Sequence, residues 1–394
     1  MKRLLCSLLA ASSLFTMTAC GGPSPSTSLP DPAHSAGSGS GSASEEPTPP
    51  LVDEKKTQID ALLTQMTIEE KVGQLFFARV PETDAAADVA NYHLGGYILF
   101  GRDTKDKTAN DLIQTINSYQ EAASIPLLIG VDEEGGSVVR VSSNPHLRAR
   151  KFSSPQQLYA AGGMDAIIQD THEKDVLLKA LGFNVNLAPV ADVSTNSGDF
   201  IYDRSFGQDA VSTAEYVRAV VGQMRKDGMG SVLKHFPGYG NNVDTHTGIA
   251  IDKRPLETFE NSDFLPFTAG LQGGATLSAV LVSHNIVNCM DPNLPASLSP
   301  AVHETLRNLM AETGFENTVV MTDDLVMDAV KAYAENGSAA VMALQAGNDL
   351  LIATDYRAQI PQVLAAAADG TLDEPTINLL CTQVLQWKQA LGLI

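Results

Sequence analysis

This chain is poor in cysteine, in tryptophan and in positive charge, and beyond its first twenty residues it has no long apolar run. Four cysteines, Cys6, Cys20, Cys289 and Cys381, exclude a disulfide-built scaffold. Cys289 and Cys381 could pair, but nothing in their spacing argues for it, so two buried free thiols are expected. Neither a CxxC nor an HExxH spacing occurs, so no structural or catalytic metal and no cofactor is inferred. Lys and Arg total 26 against 46 Asp and Glu, giving a formal net charge of −20. Loss of Lys2 and Arg3 with a leader would make it −22. So acidic a chain lacks the basic face that nucleic acid or anionic lipid requires.

What is present at the start reads as an address. Lys2 and Arg3 precede an apolar segment from Leu4 to Phe15, and Met17-Thr18-Ala19-Cys20 supplies small residues before a cysteine. That is a signal-peptide layout, too short for the ~20 residues of a membrane span. Cys20-Gly21-Gly22 resembles the lipobox of bacterial lipoproteins, with Met17 in place of the usual Leu. The resemblance implies cleavage before Cys20, lipidation of its sulfur, and an extracytoplasmic domain anchored to a bacterial membrane. Residues 21–50 are rich in Ser, Gly and Pro. They cannot bury enough surface to order themselves, and read as a tether spanning roughly 30 Å. Residues 51–394 are left for one folded domain, expected as a monomer.

In that domain short apolar runs alternate with amphipathic stretches. Strands are expected at 95–100, 127–131, 185–190, 230–233, 279–282, 319–321 and 350–352. Helices are expected at 109–121, 164–181, 213–227, 259–270, 300–313 and 339–346. Thr67 and Glu70 form a capping box for a further helix over 69–78, within a segment 58–79 that would cover one end. Continuous Val, Ile and Leu runs mark strands buried on both faces, hence a parallel sheet. Seven such strands over this length predict an α/β fold, a single (β/α)8 TIM-type barrel. A doubly wound open sheet is the alternative, but no GxGxxG follows a first strand.

The strand ends carry the chemistry. Asp132-Glu133-Glu134, with Arg140 shortly after, follows one strand. Asp192, then Asp203-Arg204, follows the next. Lys234-His235 and His284-Asn285 follow two more, and Asp323-Asp324 and Asp349 belong to the last two. A single Asp at a strand end more often caps the next helix than reacts. In a barrel, however, these ends meet on one rim and would line one pocket. Carboxylates mixed with Arg and Lys suit sugar hydroxyls, which need both acceptors and donors. Either Asp323 or Asp324 can serve as a carboxylate nucleophile at an anomeric carbon. Asp244-Thr245-His246, in a Gly- and Asn-rich loop, is read as a proton-transfer pair: the imidazole titrates near neutrality and the carboxylate orients it. His235, on the rigid strand end, is read as a donor in the pocket wall.

These motifs resemble glycoside hydrolase family 3, and most closely its β-N-acetylhexosaminidase branch, from about residue 57 to the end. They are Val131-Asp132-Glu133-Glu134-Gly135-Gly136, Asn184 to Val190, Arg204-Ser205-Phe206-Gly207, Lys234-His235-Phe236-Pro237-Gly238 and Thr322-Asp323-Asp324-Leu325. The resemblance implies Asp323 as nucleophile, His246 as acid/base with Asp244 as its partner, and sugar contacts at Asp132, Arg140, Arg204, Lys234 and His235. It implies retaining removal of terminal β-linked N-acetylglucosamine, typically from peptidoglycan fragments, without metal or cofactor. Three departures stand out. Glu133 replaces the family's Gln, Tyr239 and Asn241 replace a His and an Asp, and the loop from Gly240 to Asp244 is one residue short. A family 3 β-glucosidase is disfavoured because only 71 residues follow Asp323, too few for a second domain to supply a Glu acid/base. A phosphorylase, and a lipoprotein that binds wall glycans without turnover, remain as alternatives.

Overall fold

The computed structural model describes residues 54–245, 248–334 and 338–394, all within one compact unit. Cys20, His246 and the expected leader and tether lie outside the described residues. Eight parallel strands form the barrel: β1 (Phe76–Arg79), β2 (Gly96–Leu99), β3 (Leu128–Val131), β4 (Val185–Asn186), β5 (Gly230–Phe236), β6 (Ser278–Val282), β7 (Val320–Thr322) and β8 (Leu351–Ala353). They are neighbours in chain order, and β8 pairs back onto β1. A bridge between Met321 and Leu350 draws β7 to β8 and nearly closes the cylinder. The expected (β/α)8 fold is therefore borne out.

Glycines set how closely the layers approach. A Cβ on Gly130 would lie 2.4 Å from the Phe77 ring, so the missing side chain lets Phe77 fill the barrel interior. Phe77 is fully buried, which contributes about 1.5–3 kcal/mol. On the outside, a Cβ on Gly270 would meet Leu233 at 2.5 Å, so the helix Phe264–Gly274 packs directly on β5. Leu233 therefore points outward, and strand alternation turns Val232 and Lys234 toward the axis.

Several expectations need correction. The helix opened by the Thr67–Glu70 capping box ends at Gln74, not Ala78, and residues 76–79 are β1. Phe76 and Phe77 are both fully buried, one on each face of a strand paired on both sides, so pairing overrides the helical spacing that precedes it. The segment 58–79 thus does not merely cover one end; it supplies a barrel strand. The strand expected at 185–190 shortens to two residues. The helix expected over 164–181 starts earlier, at Pro155 behind the N-cap Ser154, and bends at Gly162–Gly163. The helices at 300–313 and 339–346 stand where expected. Helices at 85–92, 356–369 and 374–390 were not anticipated. Cys381 is a buried free thiol, but Cys289 is exposed, on the loop after the short strand Ile286–Val287.

That short strand pairs in parallel with Ile251–Asp252. The loop leaving β5 is therefore tied at its far end to the loop leaving β6. Asp252 accepts from Asn242 Nδ2 at 2.7 Å and from Arg254, whose guanidinium also donates to Asp263 and to the Gly238 carbonyl. The 238–254 segment is thereby framed at both ends. Among the described residues, no helix is long and apolar enough to cross a membrane.

Candidate active site

The C-terminal ends of β3 and β5 bring one dense ion network together. Lys234 Nζ lies 2.7 Å from Asp132 Oδ1 and 2.6 Å from Glu134 Oε1. Arg204, from the loop after β4, donates through Nε to Glu134 Oε2 at 3.0 Å and through Nη2 to Oε1 at 2.8 Å. Lys234 and Glu134 are almost wholly buried, their side chains 3% exposed each. Burial alone would drive the Glu134 carboxyl up, but Arg204 and Lys234 outweigh it and hold it well below the ordinary carboxylate range. Burial likewise opposes charge on Lys234, and Asp132 and Glu134 reverse that effect, so the ammonium is held more tightly than usual.

His235 is pinned from both sides. Its Nδ1 lies 2.7 Å from Asp192 Oδ2, and its Nε2 lies 3.3 Å from Arg204 Nη2. A guanidinium can only donate, so Nε2 accepts and Nδ1–H donates to Asp192. In this arrangement His235 serves to orient Arg204. Asp192, buried at 1% exposure, also takes the backbone N–H of Tyr239 at 2.7 Å through its second oxygen.

Tyr239 carries the network toward the candidate proton-transfer loop. Its ring packs 5.5 Å from His235 and 5.6 Å from Phe200. Its hydroxyl is 2.7 Å from Thr245 Oγ1 and accepts the Thr245 N–H at 3.1 Å. Thr245 is fully buried and follows half-buried Asp244 in the chain. Burial raises the Tyr239 phenol to about 12; the Thr245 bonds oppose this, while Asp323 and Asp192 add to it. Asp323 is therefore within electrostatic reach of this ring.

The end of β7 separates its two carboxylates. Asp324 accepts from the Thr354 N–H at 3.0 Å, from the Thr354 hydroxyl, and from the Val326 N–H at 3.3 Å. Its oxygens are committed to the β8 end and its own turn. Asp323 donates its N–H to the Val282 carbonyl at 3.1 Å, which sets it against β6, and its Oδ1 takes the Asp324 N–H at 2.8 Å. His284 links the same two strand ends: Nε2 lies 3.1 Å from the Asp324 carbonyl, Nδ1 2.7 Å from Ser297 Oγ.

Arg140 sits apart from the network, its guanidinium 5.9 Å from the Phe100 ring. Glu133 sets its backbone. That fully buried carboxylate accepts the N–H groups of Arg140 at 2.8 Å, Val141 at 2.7 Å and Ser142 at 3.2 Å, together with the Ser142 hydroxyl. The departure from the family's Gln is thus a carboxylate inside a cluster of donors.

The structure brings Asp132, Arg204, Lys234 and His235 into one connected cluster, with Asp323 near its Tyr239 end. Asp349 does not join it. Asp349 precedes β8 and so lies at the opposite end of the barrel, where it takes the Val320 N–H and pairs with Arg307. Asp203 is exposed. The sequence placed Glu134 and Asp192 among the charged strand ends but gave neither a role of its own; two cations with a single anchoring carboxylate at Asp132 were the available signal. Among the described residues, no group of three His, Cys, Asp or Glu side chains is arranged to hold a metal ion.

Fold and site define a class: a (β/α)8 enzyme whose catalytic rim is built from carboxylates neutralised by buried cations, the layout of a glycoside hydrolase. A family model described as glycosyl hydrolase family 3 N terminal domain matches residues 67–387. A β-hexosaminidase of Xylella fastidiosa (strain M12) is 30% identical over 309 residues, covering 76% of this chain and 88% of its own. One from Nitrosomonas eutropha is 34% identical over 268 residues, covering 66% and 74%. The solved family 3 β-N-acetylglucosaminidase of Paenibacillus sp. str. FPU-7 superposes with a TM-score of 0.76 at 30% identity. It covers 83% of this chain, which spans only 63% of that one. The chain belongs to glycosyl hydrolase family 3.

Proposed function

We propose that the chain is a retaining exo-β-N-acetylglucosaminidase acting on peptidoglycan fragments, held outside the cytoplasm by a lipid on Cys20. The observation that carries the reading is the interlocked Asp132–Lys234–Glu134–Arg204 cluster at the mouth of the barrel, with Asp323 at the β7 end on the same rim. The solved β-N-acetylglucosaminidase that it resembles supports the same sugar, and the β-hexosaminidases support the reaction class. Asp132, Arg140, Arg204 and Lys234 hold the terminal sugar, and His235 orients Arg204. Asp324 spends its oxygens on the fold, which supports Asp323 as the nucleophile.

In the first step an Asp323 oxygen bonds to the anomeric carbon, the bond to the leaving oxygen breaks, and His246, supported by Asp244, gives that oxygen a proton. In the second, His246 takes a proton from water, the water oxygen bonds to the anomeric carbon, and Asp323 departs. No metal or cofactor enters this scheme. The test is the purified chain against aryl β-glycosides of N-acetylglucosamine, glucose and N-acetylgalactosamine, with and without inorganic phosphate. The reading expects N-acetylglucosamine as product in both buffers. A preference for glucoside, or sugar 1-phosphate as the main product, would overturn it.

A further inference from the structure

Most cations at the barrel mouth bring their own counter-charge; two do not. Arg204 is paired with Glu134, and Lys234 with Asp132 and Glu134. Arg79 and Arg140 instead share one aromatic ring: their guanidinium carbons lie 4.3 and 5.9 Å from the centre of Phe100. The Nε of each is closed off from solvent and meets no acceptor, and neither guanidinium forms an ion pair with a described residue. Shielded, unpaired donors are costly, and two like charges held on one ring repel each other. The carboxylate beside this ring, Asp103, is committed elsewhere: it takes the Phe100 N–H at 2.7 Å and pairs with Arg102 at 3.3 Å.

The strand register shows where Arg79 points. Lys234 faces inward, as does Gly230 four residues before it. Parallel pairing carries that level from Gly230 to Val185, Gly130, Ile98 and Arg79. Partners in register share a face, so Arg79 enters the barrel mouth from the same side as Asp132, two residues beyond Gly130. In the order of eight strands β1 stands opposite β5. The loop leaving β5 carries Asp244 and His246, so the leaving group departs on that side. Arg79 therefore addresses the far side of the terminal sugar.

We propose that Arg79 and Arg140, gathered at the Phe100 ring, form a subsite for an oxyanion carried by the terminal sugar. The ligand class is an N-acetylglucosamine unit bearing a carboxylate or a phosphate away from its anomeric carbon. A neutral hydroxyl is matched by a donor paired with an acceptor, which the Lys234–Asp132 pair already supplies. Two uncompensated planar forks match an oxyanion, by charge and by paired N–H groups. The proposal rests on the reading above in one respect, that this mouth holds the terminal sugar.

The test is calorimetric binding to the full chain of three free sugars: N-acetylglucosamine, its 6-phosphate, and its 3-O-lactyl ether, N-acetylmuramic acid. At least one anionic sugar should bind about tenfold or more tighter than the neutral one, and the two anionic arms distinguish phosphate from carboxylate. Arg79→Gln should remove that advantage and leave neutral binding within about threefold, and Arg79→Lys should keep part of it. Unchanged thermal unfolding would certify that both variants are folded. Equal affinity for all three sugars in the wild type, or a loss in Arg79→Gln that falls equally on neutral and anionic sugars, overturns the subsite. Turnover is a separate readout. A chain that binds an anionic sugar through Arg79 but cleaves no glucosaminide refutes the hydrolase and leaves the subsite standing. One that cleaves the neutral glycoside and ignores the charge does the reverse.

Discussion

Replacing Glu134 by Gln probes the centre of the ion network without changing its shape. The carboxylate receives Arg204 through two bonds of 3.0 and 2.8 Å and Lys234 through one of 2.6 Å. Glutamine keeps one acceptor oxygen and turns an NH2 toward cations. Breaking a buried pair by neutralising one partner costs about 3–5 kcal/mol. Here Lys234 retains Asp132 and the Arg204 side chain is 16% exposed, so a loss of about 2–4 kcal/mol is expected at pH 7. The pH dependence has a definite sign. The folded Glu134 carboxyl sits below its ordinary 4.5, so its stabilisation is complete above that value and fades as pH falls beneath it. Urea unfolding should therefore show a large gap between wild type and Glu134→Gln at pH 7 that narrows below about pH 4.5. Hydrolysis should fall further than stability, because Arg204 loses its fixed orientation. A gap under about 0.5 kcal/mol at pH 7, or one independent of pH, would refute the reasoning.

Three further substitutions separate positioning from packing. Tyr239→Phe removes the hydroxyl that takes the buried Thr245 N–H, a loss of about 1–3 kcal/mol. It should slow glycosides with poor leaving groups more than activated ones, and an equal effect on both would disconnect Tyr239 from proton transfer. Glu133→Gln turns an NH2 toward the N–H groups at 140–142. KM for an aryl N-acetylglucosaminide should rise about tenfold with kcat nearly unchanged; an unchanged KM would show that Arg140 does not depend on this clamp. Lys388 is fully buried, and burial lowers its ammonium to about 7. Its burial penalty is complete below that pH and disappears as pH rises toward the ordinary 10.5. Lys388→Met leaves Gln74 Oε1 without its 2.6 Å partner, at about 1–3 kcal/mol, less than the several kcal/mol of the penalty. Chemical unfolding should thus find the variant more stable at pH 6–7, with the gain shrinking toward pH 10. A destabilised variant at pH 6 would contradict the sign.

Strands buried on both faces advertise themselves as unbroken apolar runs, so β2, β3, β5, β6, β7 and β8 were legible. β1 was not, because Phe76, Phe77 and Ala78 continue the apolar spacing of the helix before them, and only pairing with β2 and β8 decides their conformation. Asp349 was misplaced for a related reason. A charge flanking a strand is visible in sequence, but which end of the barrel it occupies depends on where the strand starts. Asp132, Arg204, Lys234 and His235 were legible as strand-end residues. Their interlocking was not, since Glu134 and Asp192 act through partners 70 and 43 positions away.

The central claim is that Asp323 bonds to the sugar. It is tested most directly by trapping the enzyme with a fluorinated N-acetylglucosaminide whose second step is slow, then mapping the modified peptide by mass spectrometry. One sugar on Asp323, with no trapping and no turnover in Asp323→Asn, is the predicted result. A sugar on Asp324 or on another carboxylate, or undiminished turnover by Asp323→Asn, would contradict it.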